Sequence, residues 1–263
     1  MTKNDQITPL PVSHFNVIIP LVLKEFFTGF CDLVYPHTCL LCKKFIQSAD
    51  KKIPVCSNCQ QTIIKNKPPF CGRCSRYLGS DNEQLECKEC RRHTPFFDGA
   101  WCACLYNDAL RKLIHLFKYG EKTSLQYFFL QRIFSFLKEY NFDIKDYEIA
   151  MPIPLHKTRM RERGFNQAQL LAQKIARELN IPLSTGNLQR IRNTKNQARL
   201  TQKERWTNIK GAFTITDSFE LFDKSVLLVD DLLTTGATAS EAARILKMAG
   251  AKKVGILAVA IAV

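Results

Sequence analysis

The chain has 263 residues, of which 46% are hydrophobic and 24% are charged, which is ordinary for a soluble globular protein. This length suits one mid-sized domain and a smaller one. The formal net charge of +14 favours polyanionic partners such as nucleic acid, phosphorylated small molecules or an anionic membrane surface. Most of the excess lies in residues 156–210, where 13 Lys or Arg against 3 Asp or Glu leave a local charge of +10. This imbalance favours an anion-facing surface over an ordinary solvated face.

The N-terminal segment predicts neither export nor membrane insertion. Residues 1–10 lack the cationic stretch and apolar core of a signal peptide. The apolar residues 15–35 are interrupted by Pro20, Lys24, Glu25 and Asp32, so they do not suit a membrane span. Apolar side chains at helical spacing within this stretch predict a docking helix that packs on the protein, with a membrane-surface or partner-binding helix as the alternative. We expect a cytoplasmic protein with reduced cysteines.

Eight of the 11 cysteines form four C-x-x-C pairs. The pairs are Cys39/Cys42, Cys56/Cys59, Cys71/Cys74 and Cys87/Cys90. A C-x-x-C turn directs two thiolates at one point, and a second pair completes a tetrahedral Zn²⁺ site. Loops of 13 and 12 residues separate the two halves of each unit, so the spacing predicts two successive structural zinc ribbons. An interleaved arrangement, with the middle four cysteines at one site, is an alternative, and so is iron–sulfur ligation.

The cysteine-rich segment is too small to have a hydrophobic core of its own, so structural metal would hold it together. We therefore predict three parts: a tail and docking helix at residues 1–32, a double zinc ribbon at 33–95, and a main domain at 96–263. Cys102 and Cys104 alternate within an apolar stretch of the main domain and are interpreted as packing residues.

The main domain alternates predicted strands with predicted helices. Strands are predicted at residues 99–106, 147–154, 188–193, 225–231 and 252–262. Helices are predicted at 108–119, 125–140, 165–179, 201–209 and 236–248. Because the apolar strands are continuous rather than alternating, the fold class is α/β, with a mostly parallel sheet and helices on both faces. Ligands of such sheets bind beyond the carboxyl ends of the strands.

The stretch VLLVDDLLTTGATA, residues 226–239, lies at one of these strand ends. The Thr hydroxyls and the backbone N–H groups at the following helix start can hold a phosphate, and Gly236 allows close approach of the backbone. Asp230 and Asp231 can accept hydrogen bonds from the vicinal hydroxyls of a sugar. Phosphate donors beside diol acceptors indicate a ribose 5-phosphate site. A structural turn with one N-capping threonine would not explain the two aspartates.

This stretch resembles the ribose-phosphate signature of type I phosphoribosyltransferases, in which an apolar run and two acids precede T-T-G-x-T. The stretches MPIPLHKTRMRERGFNQAQLLA at 151–172 and LQRIRNTKNQARLTQKERWTNIKGAF at 188–213 resemble motifs of one branch, the ComF/GntX proteins. HTCLLCKKF and the C-x-x-C pairs after it are similar to the N-terminal double zinc ribbon of that branch. The resemblance covers roughly residue 33 to the C-terminus.

The resemblance implies a type I phosphoribosyltransferase-like fold that binds 5-phosphoribosyl-1-pyrophosphate (PRPP) with Mg²⁺. By the same resemblance, Asp230 and Asp231 face the ribose, and the pyrophosphate lies near residues 152–155. The loop that holds the 5-phosphate consists of Thr234, Thr235, Gly236, Ala237 and Thr238. The basic segment adds Arg159, Arg161 and Arg163 as candidates for binding pyrophosphate or DNA, because a guanidinium binds two oxygens of such an anion at once.

Two functions follow as hypotheses. The ComF resemblance implies a PRPP-binding protein of natural competence that handles single-stranded DNA, with a helicase or a recombination mediator as a partner. Phe165 and Trp206, which lie among the arginines, would then stack on bases. The alternative is an active phosphoribosyltransferase, in which Asp230 and Asp231 act catalytically by stabilising positive charge on the ribose while pyrophosphate leaves.

Overall fold

The computed structural model describes residues 37–46, 52–80, 84–194 and 200–262. From Thr38 onward these residues belong to one compact unit. The predicted docking helix lies outside the described residues, and the three predicted part boundaries stay a prediction. Within the described ranges, no helix is both long enough and apolar enough to cross a bilayer.

The predicted strands and helices of the main domain are all present and in the predicted order, with further short elements between them. The strands are β1 Gly99–Leu105, β2 Ile149–Pro152, β3 Leu188–Arg190, β4 Phe213–Ile215, β5 Ser225–Leu233 and β6 Lys253–Ile261. The helices are α1 Ser57–Gln61, α2 Lys88–His93, α3 Asp108–Tyr119, α4 Leu125–Glu139, α5 Lys157–Arg163, α6 Gln167–Leu179, α7 Gln202–Ile209 and α8 Ala237–Met248. A short 3₁₀ turn covers Phe219–Leu221.

The central sheet has the strand order β1-β6-β5-β2, and every neighbouring pair is parallel. The predicted parallel sheet is therefore confirmed. Its strands are buried along nearly their whole length, which explains why their sequences are apolar without alternation. The strands β3 and β4 form a separate antiparallel pair.

Two hydrophobic cores lie on the two faces of this sheet. Alternate residues of β5 divide between them: Val226 and Leu228 face one core, whereas Leu227 and Val229 face the other. The first core contains the apolar residues of α8 and of the β3–β4 pair, and the second contains those of α3, α4 and α6. The predicted placement of helices on both faces is confirmed.

Helix α3 shows how local sequence fixes an element. Its first turn is capped by Asn107, whose side chain accepts a hydrogen bond from the backbone N–H of Leu110 at 3.0 Å. Every third or fourth residue after the cap is apolar and buried, and the helix ends at Gly120. Its last turn carries Lys118, which the packing of this helix against the sheet brings to the carboxyl ends of the strands.

Three elements of the main domain differ from the prediction. Strand β5 continues through both aspartates to Leu233, because β6 still pairs with this part: Asp230 lies opposite Ala258, and Leu233 opposite Ile261. The loop is therefore shorter than predicted, and α8 starts at Ala237. Residues 157–163, for which no element was predicted, form a short helix. None of its residues is buried, so the sequence shows no apolar stripe there. Strand β4 was not predicted, since it has only three residues.

Candidate functional site: two cysteine clusters and a cationic cleft

The eight paired cysteines form two compact clusters. In each cluster the four Sγ atoms lie within 4.8 Å of one another, and the clusters are Cys39/Cys42/Cys56/Cys59 and Cys71/Cys74/Cys87/Cys90. The cysteines therefore pair in sequence order, and the interleaved alternative is wrong. Four sulfurs at this spacing fit one tetrahedral Zn²⁺ ion per cluster.

Backbone donors complete each cluster. The N–H of Cys56 donates to Sγ of Cys39 at 3.4 Å, and the N–H of Cys87 donates to Sγ of Cys71 at 3.3 Å. Such donors stabilise thiolates, which are the form of cysteine that binds metal. The two clusters have the same design, because each second C-x-x-C pair begins a short helix, α1 or α2.

The two ribbons contact opposite faces of the central sheet. Cys39 belongs to the core that contains α3 and α4, and the second cluster belongs to the core that contains α8. The segment between them runs along the edge of β1, where Lys65 pairs with Cys104. This pairing covers a strand edge that would otherwise be exposed. As predicted, Cys102 and Cys104 are fully buried packing residues.

A cleft of about 580 Å³ opens at the carboxyl ends of β2 and β5. Four walls surround it: the end of β5 with the start of α8, the segment from β2 to α6, the polar face of α3, and residues of β3, of the segment after β3 and of α7. The position agrees with the general rule for ligand sites of parallel sheets. Most of the residues predicted for ribose phosphate and pyrophosphate therefore lie around one cavity.

One of the two carboxylates of the cleft has a lysine partner. Nζ of Lys118 lies 2.6 Å from Oδ2 of the buried Asp231. Burial alone would lower the pKa of Lys118, but the two aspartates raise it above its usual value, so this lysine stays charged. This pair could not be predicted from the sequence, where Lys118 is simply a lysine in the last turn of an amphipathic helix.

No cationic side chain among the described residues lies at ion-pair distance from Asp230. Its Oδ1 accepts a hydrogen bond from the backbone N–H of Asp231 at 2.8 Å. Burial raises the pKa of Asp230, and the neighbouring charge of Asp231 raises it further, while Lys118 opposes both effects. Asp230 is thus an acceptor held at an energetic cost, which is typical of a functional rather than a structural carboxylate.

The loop after β5 divides its residues between the cleft and the interior. Thr234, Gly236 and Thr238 line the cleft, whereas Thr235 and Ala237 are buried. Gly236 has a φ of +79°, a left-handed conformation that glycine adopts without strain, and it precedes the first turn of α8. The backbone N–H groups at this helix start supply donors for an anion.

Only some of the arginines of α5 face the cleft. Arg159 and Arg163 line the cleft, whereas Arg161 is exposed and does not. Arg163 is held in place, because its guanidinium donates to the Tyr119 hydroxyl at 2.9 Å and to Oε1 of Gln167 at 3.0 Å. Helix α5 therefore directs two of its three arginines into the cleft.

The R-G-F-N-Q motif builds the wall that carries these arginines. Gly164 ends α5 with a φ of +76°, and Asn166 then caps α6 by accepting from the N–H of Ala168. The amide of Asn166 donates to the carbonyl oxygen of Ile153 at 3.0 Å, and that of Gln167 donates to the carbonyl oxygen of Lys118 at 3.3 Å. The motif therefore joins β2, α3 and α6 around the cleft.

Sequence reasoning also missed Arg190 and Arg205, which line the cleft from β3 and α7. Arg190 lies among the guanidinium groups of Arg159 and Arg163 and close enough to Asp230 to be influenced by its charge. Burial lowers the pKa of Arg190, while Asp230 opposes this effect. An arginine stays protonated in proteins, so the cleft concentrates positive charge.

The two aromatic residues predicted to stack on bases have protein partners. Phe165 packs edge-on against Phe117, with ring centroids 6.3 Å apart. Trp206 stacks on His93 at 4.5 Å, and its indole N–H donates to Oε1 of Glu89 at 3.0 Å. Trp206 therefore packs against α2 and connects the second ribbon to α7 of the main domain.

We expect Arg159→Ala to weaken binding of inorganic pyrophosphate about tenfold, the usual cost of a lost charge-assisted hydrogen bond. Arg161→Ala is the matched control, since it removes an arginine from the same helix outside the cleft. Calorimetric titration of both variants checks this. An equal loss in the two variants would show that general charge, rather than the cleft, determines affinity.

Comparison with known proteins agrees with this arrangement. The family described as phosphoribosyl transferase domain matches residues 166–262, and the family described as double zinc ribbon domain matches residues 30–91. Competence protein F of Haemophilus influenzae is 30% identical over 221 residues, which cover 83% of this chain and 94% of that protein. Competence protein ComFC of Bacillus subtilis is 30% identical, with coverage of 81% and 90%. DNA utilization protein YhgH of Escherichia coli K12 is 27% identical, with coverage of 85% and 96%.

The parallel sheet and the matched domains define a phosphoribosyltransferase-like protein with an N-terminal double zinc ribbon. The likeness to the two competence proteins extends over both parts of the chain. The chain belongs to the ComF/GntX family.

Proposed function

We propose that the cleft binds PRPP with Mg²⁺ and that the protein acts in natural competence, in the uptake and handling of single-stranded DNA. The observation that supports PRPP most strongly is the arrangement of the cleft. Asp230 and the Thr234–Thr238 loop form one wall, and Arg159 and Arg163 lie on another. Acceptors for a sugar diol and donors for phosphate therefore share one cavity with guanidinium groups suited to a pyrophosphate.

In this proposal each part of PRPP has its own partner. The loop and the start of α8 hold the 5-phosphate, and the carboxylate of Asp230 accepts from the ribose hydroxyls. Arginines of α5, with Arg190, bind the pyrophosphate. The oxygen-rich donor set of Asp230 and a pyrophosphate suits Mg²⁺, which would neutralise part of the ligand's charge.

A competition experiment tests this division. Ribose 5-phosphate and inorganic pyrophosphate should each displace Mg²⁺–PRPP, because each occupies one half of its site. We expect both to bind more weakly than PRPP, since each makes only part of the contacts. Failure of both to compete at millimolar concentration, about 4 kcal/mol of binding free energy, would contradict the proposal.

The competence role is proposed from the relatives, two of which are named competence proteins and one a DNA utilization protein. The basic segment supports it, because not all of its cations face the cleft. Lys203 and Lys210 border a second groove of about 620 Å³ together with Phe96, whose side chain is 53% exposed. Lysines beside an exposed aromatic ring suit a single-stranded backbone and a stacked base. A helicase or a recombination mediator would be the protein partner in such a role.

We expect Lys203→Ala/Lys210→Ala to weaken binding of single-stranded DNA and to reduce the salt dependence of that binding. Each lost phosphate contact lowers the slope of log K against log salt by about 0.7, so two contacts lower it by about 1.4. Fluorescence anisotropy across a salt series measures this slope. The affinity for PRPP should not change, because neither lysine lines the cleft. An unchanged slope would exclude this groove as the DNA surface.

Transfer of ribose 5-phosphate to an acceptor is the second candidate. The wall of α3 and the residue before its cap favour it, because Tyr106, Arg111 and His115 border a part of the cleft that the proposed PRPP contacts leave open. As pyrophosphate leaves, positive charge would develop on the ribose, where the two aspartates stabilise it, while the arginines stabilise the leaving group. Release of pyrophosphate from PRPP in the presence of candidate acceptors tests this reaction.

A further inference from the structure

The second zinc ribbon directly contacts the loop proposed to hold the 5-phosphate. A terminal guanidinium nitrogen of Arg76, two residues after Cys74, donates to the carbonyl oxygen of Thr234 at 3.0 Å. The ring of Phe97 lies 3.6 Å from the point where a side chain on Gly236 would begin. The N–H of Phe96 donates to Oγ of Ser240 in α8 at 3.1 Å. The ribbon and the residues that follow it therefore contact the loop and the start of α8.

The backbone of Arg76 is part of the second cysteine cluster. The N–H of Cys71 donates to the carbonyl oxygen of Arg76 at 2.7 Å, and the N–H of Ser75 donates to the carbonyl oxygen of Cys71 at 3.0 Å. Oγ of the buried Ser75 accepts from the N–H of Cys102 in β1 at 3.3 Å. A zinc ion that holds Cys71 in place would therefore also hold the backbone of Arg76, from which the side chain reaches the loop.

The hydrogen bond of Arg76 has a consequence for the neighbouring donor. In a trans peptide the C=O and N–H groups point in opposite directions. Because Arg76 holds the carbonyl of Thr234 on the ribbon side, the N–H of Thr235 points away from the ribbon. The loop separates the ribbon from the cleft, since Thr234 and Gly236 border both the cleft and the narrow space beside Arg76. This N–H thus adds to the donors available for a phosphate.

We propose that Arg76 is a positioning residue that couples the second zinc site to the phosphate loop. Affinity for a 5-phosphoribosyl group then depends on zinc at the second cluster and not on zinc at the first. The first ribbon has no such contact among the described residues: it is joined to the other face of the sheet, where Arg132 of α4 donates to Gln60 at 2.9 Å. This inference rests on the proposed PRPP function.

Arg76→Met tests the coupling, because methionine keeps the apolar stem and removes the donor. We expect this variant to bind ribose 5-phosphate and PRPP about tenfold more weakly, while inorganic pyrophosphate binds as in the wild type. Arg73→Met is the matched control. Arg73 lies in the same ribbon, between Cys71 and Cys74, but pairs with Glu86 at 3.0 Å. Arg76→Lys, which restores a cationic donor, should recover part of the affinity.

The readouts separate positioning from general damage. Zinc content and the unfolding temperature are measured for each variant, and a merely structural defect would weaken all three ligands alike. Normal affinity of Arg76→Met for ribose 5-phosphate would overturn the inference and leave the proposed function standing. Absence of PRPP binding in the wild type would contradict the proposed function itself and the inference with it.

A second comparison tests the role of zinc. Cys87→Ser and Cys42→Ser each remove one ligand, from the second and the first cluster respectively. We expect each variant to lose one zinc ion per chain, and only Cys87→Ser to lose affinity for ribose 5-phosphate. Equal affinities in the two variants would overturn the coupling, and the Arg76 series decides the matter if Cys87→Ser does not fold.

Discussion

Asp230→Asn is expected to bind Mg²⁺–PRPP at least a hundredfold more weakly than the wild type, roughly the loss of two charge-assisted hydrogen bonds. The same substitution is expected to raise the unfolding temperature. Asparagine keeps the shape of aspartate and can still accept from the N–H of Asp231. Unlike aspartate, it cannot lose a proton to present a charged acceptor to both hydroxyls of a ribose. Loss of binding and gain of stability in one variant would distinguish a functional carboxylate from a structural one.

The gain in stability follows from the raised pKa of Asp230. Burial and the neighbouring Asp231 raise this pKa above its value in the unfolded chain. The folded protein therefore keeps a proton on Asp230 at pH values where the unfolded chain has lost it, and stability falls as the pH rises between the two pKa values. Asparagine removes this penalty, which grows as the pH rises through that window and is largest above it.

Thermal unfolding at neutral pH and at pH 4 checks the sign. At neutral pH each kcal/mol gained should raise the unfolding temperature by about 2–4 °C, and the gain should shrink towards pH 4. Asp146→Asn is the control, because it removes an exposed carboxylate outside the cleft. A lower unfolding temperature for Asp230→Asn would mean that Asp230 is structural, and undiminished PRPP binding would remove it from the ribose site.

The second large effect is expected from the cysteine clusters. Cys39→Ser should lose one of two zinc ions and destabilise the first ribbon by several kcal/mol, since structural zinc contributes about 10–16 kcal/mol of apparent binding free energy in small zinc domains. Cys39 is fully buried. A serine at this position, with no metal bound, would also bury a polar hydroxyl group, which adds a desolvation cost.

Zinc content and protection of the ribbon from protease measure this effect. Cys104→Ala is the matched control: it removes an equally buried cysteine that lies outside both clusters. The control should keep two zinc ions and a protected ribbon. A full zinc content in Cys39→Ser would show that this cysteine does not bind the metal.

Local patterns in the sequence were sufficient for the sheet, for the helices with an apolar stripe and for the cysteine clusters. The motif from Val226 to Ala239 also predicted the position of the cleft, because a strand end and a helix start follow each other directly there. In these cases the interacting residues are close in the chain, or, as with the paired cysteines, their spacing is constrained by a common ligand.

Contacts between distant segments could not be predicted in the same way. Lys118 meets Asp231 only because α3 packs against the end of β5, and Arg76 reaches Thr234 only because the second ribbon lies beside α8. Trp206 appeared suited to base stacking because it lies among arginines, but it packs on His93 of the ribbon. Tertiary packing decides the partners of such residues, and a single sequence does not contain that information.

Titration of Mg²⁺–PRPP into the zinc-loaded protein by calorimetry, beside Asp230→Asn/Asp231→Asn, tests the central claim most directly. The account predicts saturable binding of one PRPP per wild-type chain and no detectable binding to the double variant. Its unfolding curve and zinc content would confirm that the double variant is folded. Wild-type protein that shows no binding, or a folded double variant that binds as well as the wild type, would contradict the assignment of this cleft as a ribose-phosphate site.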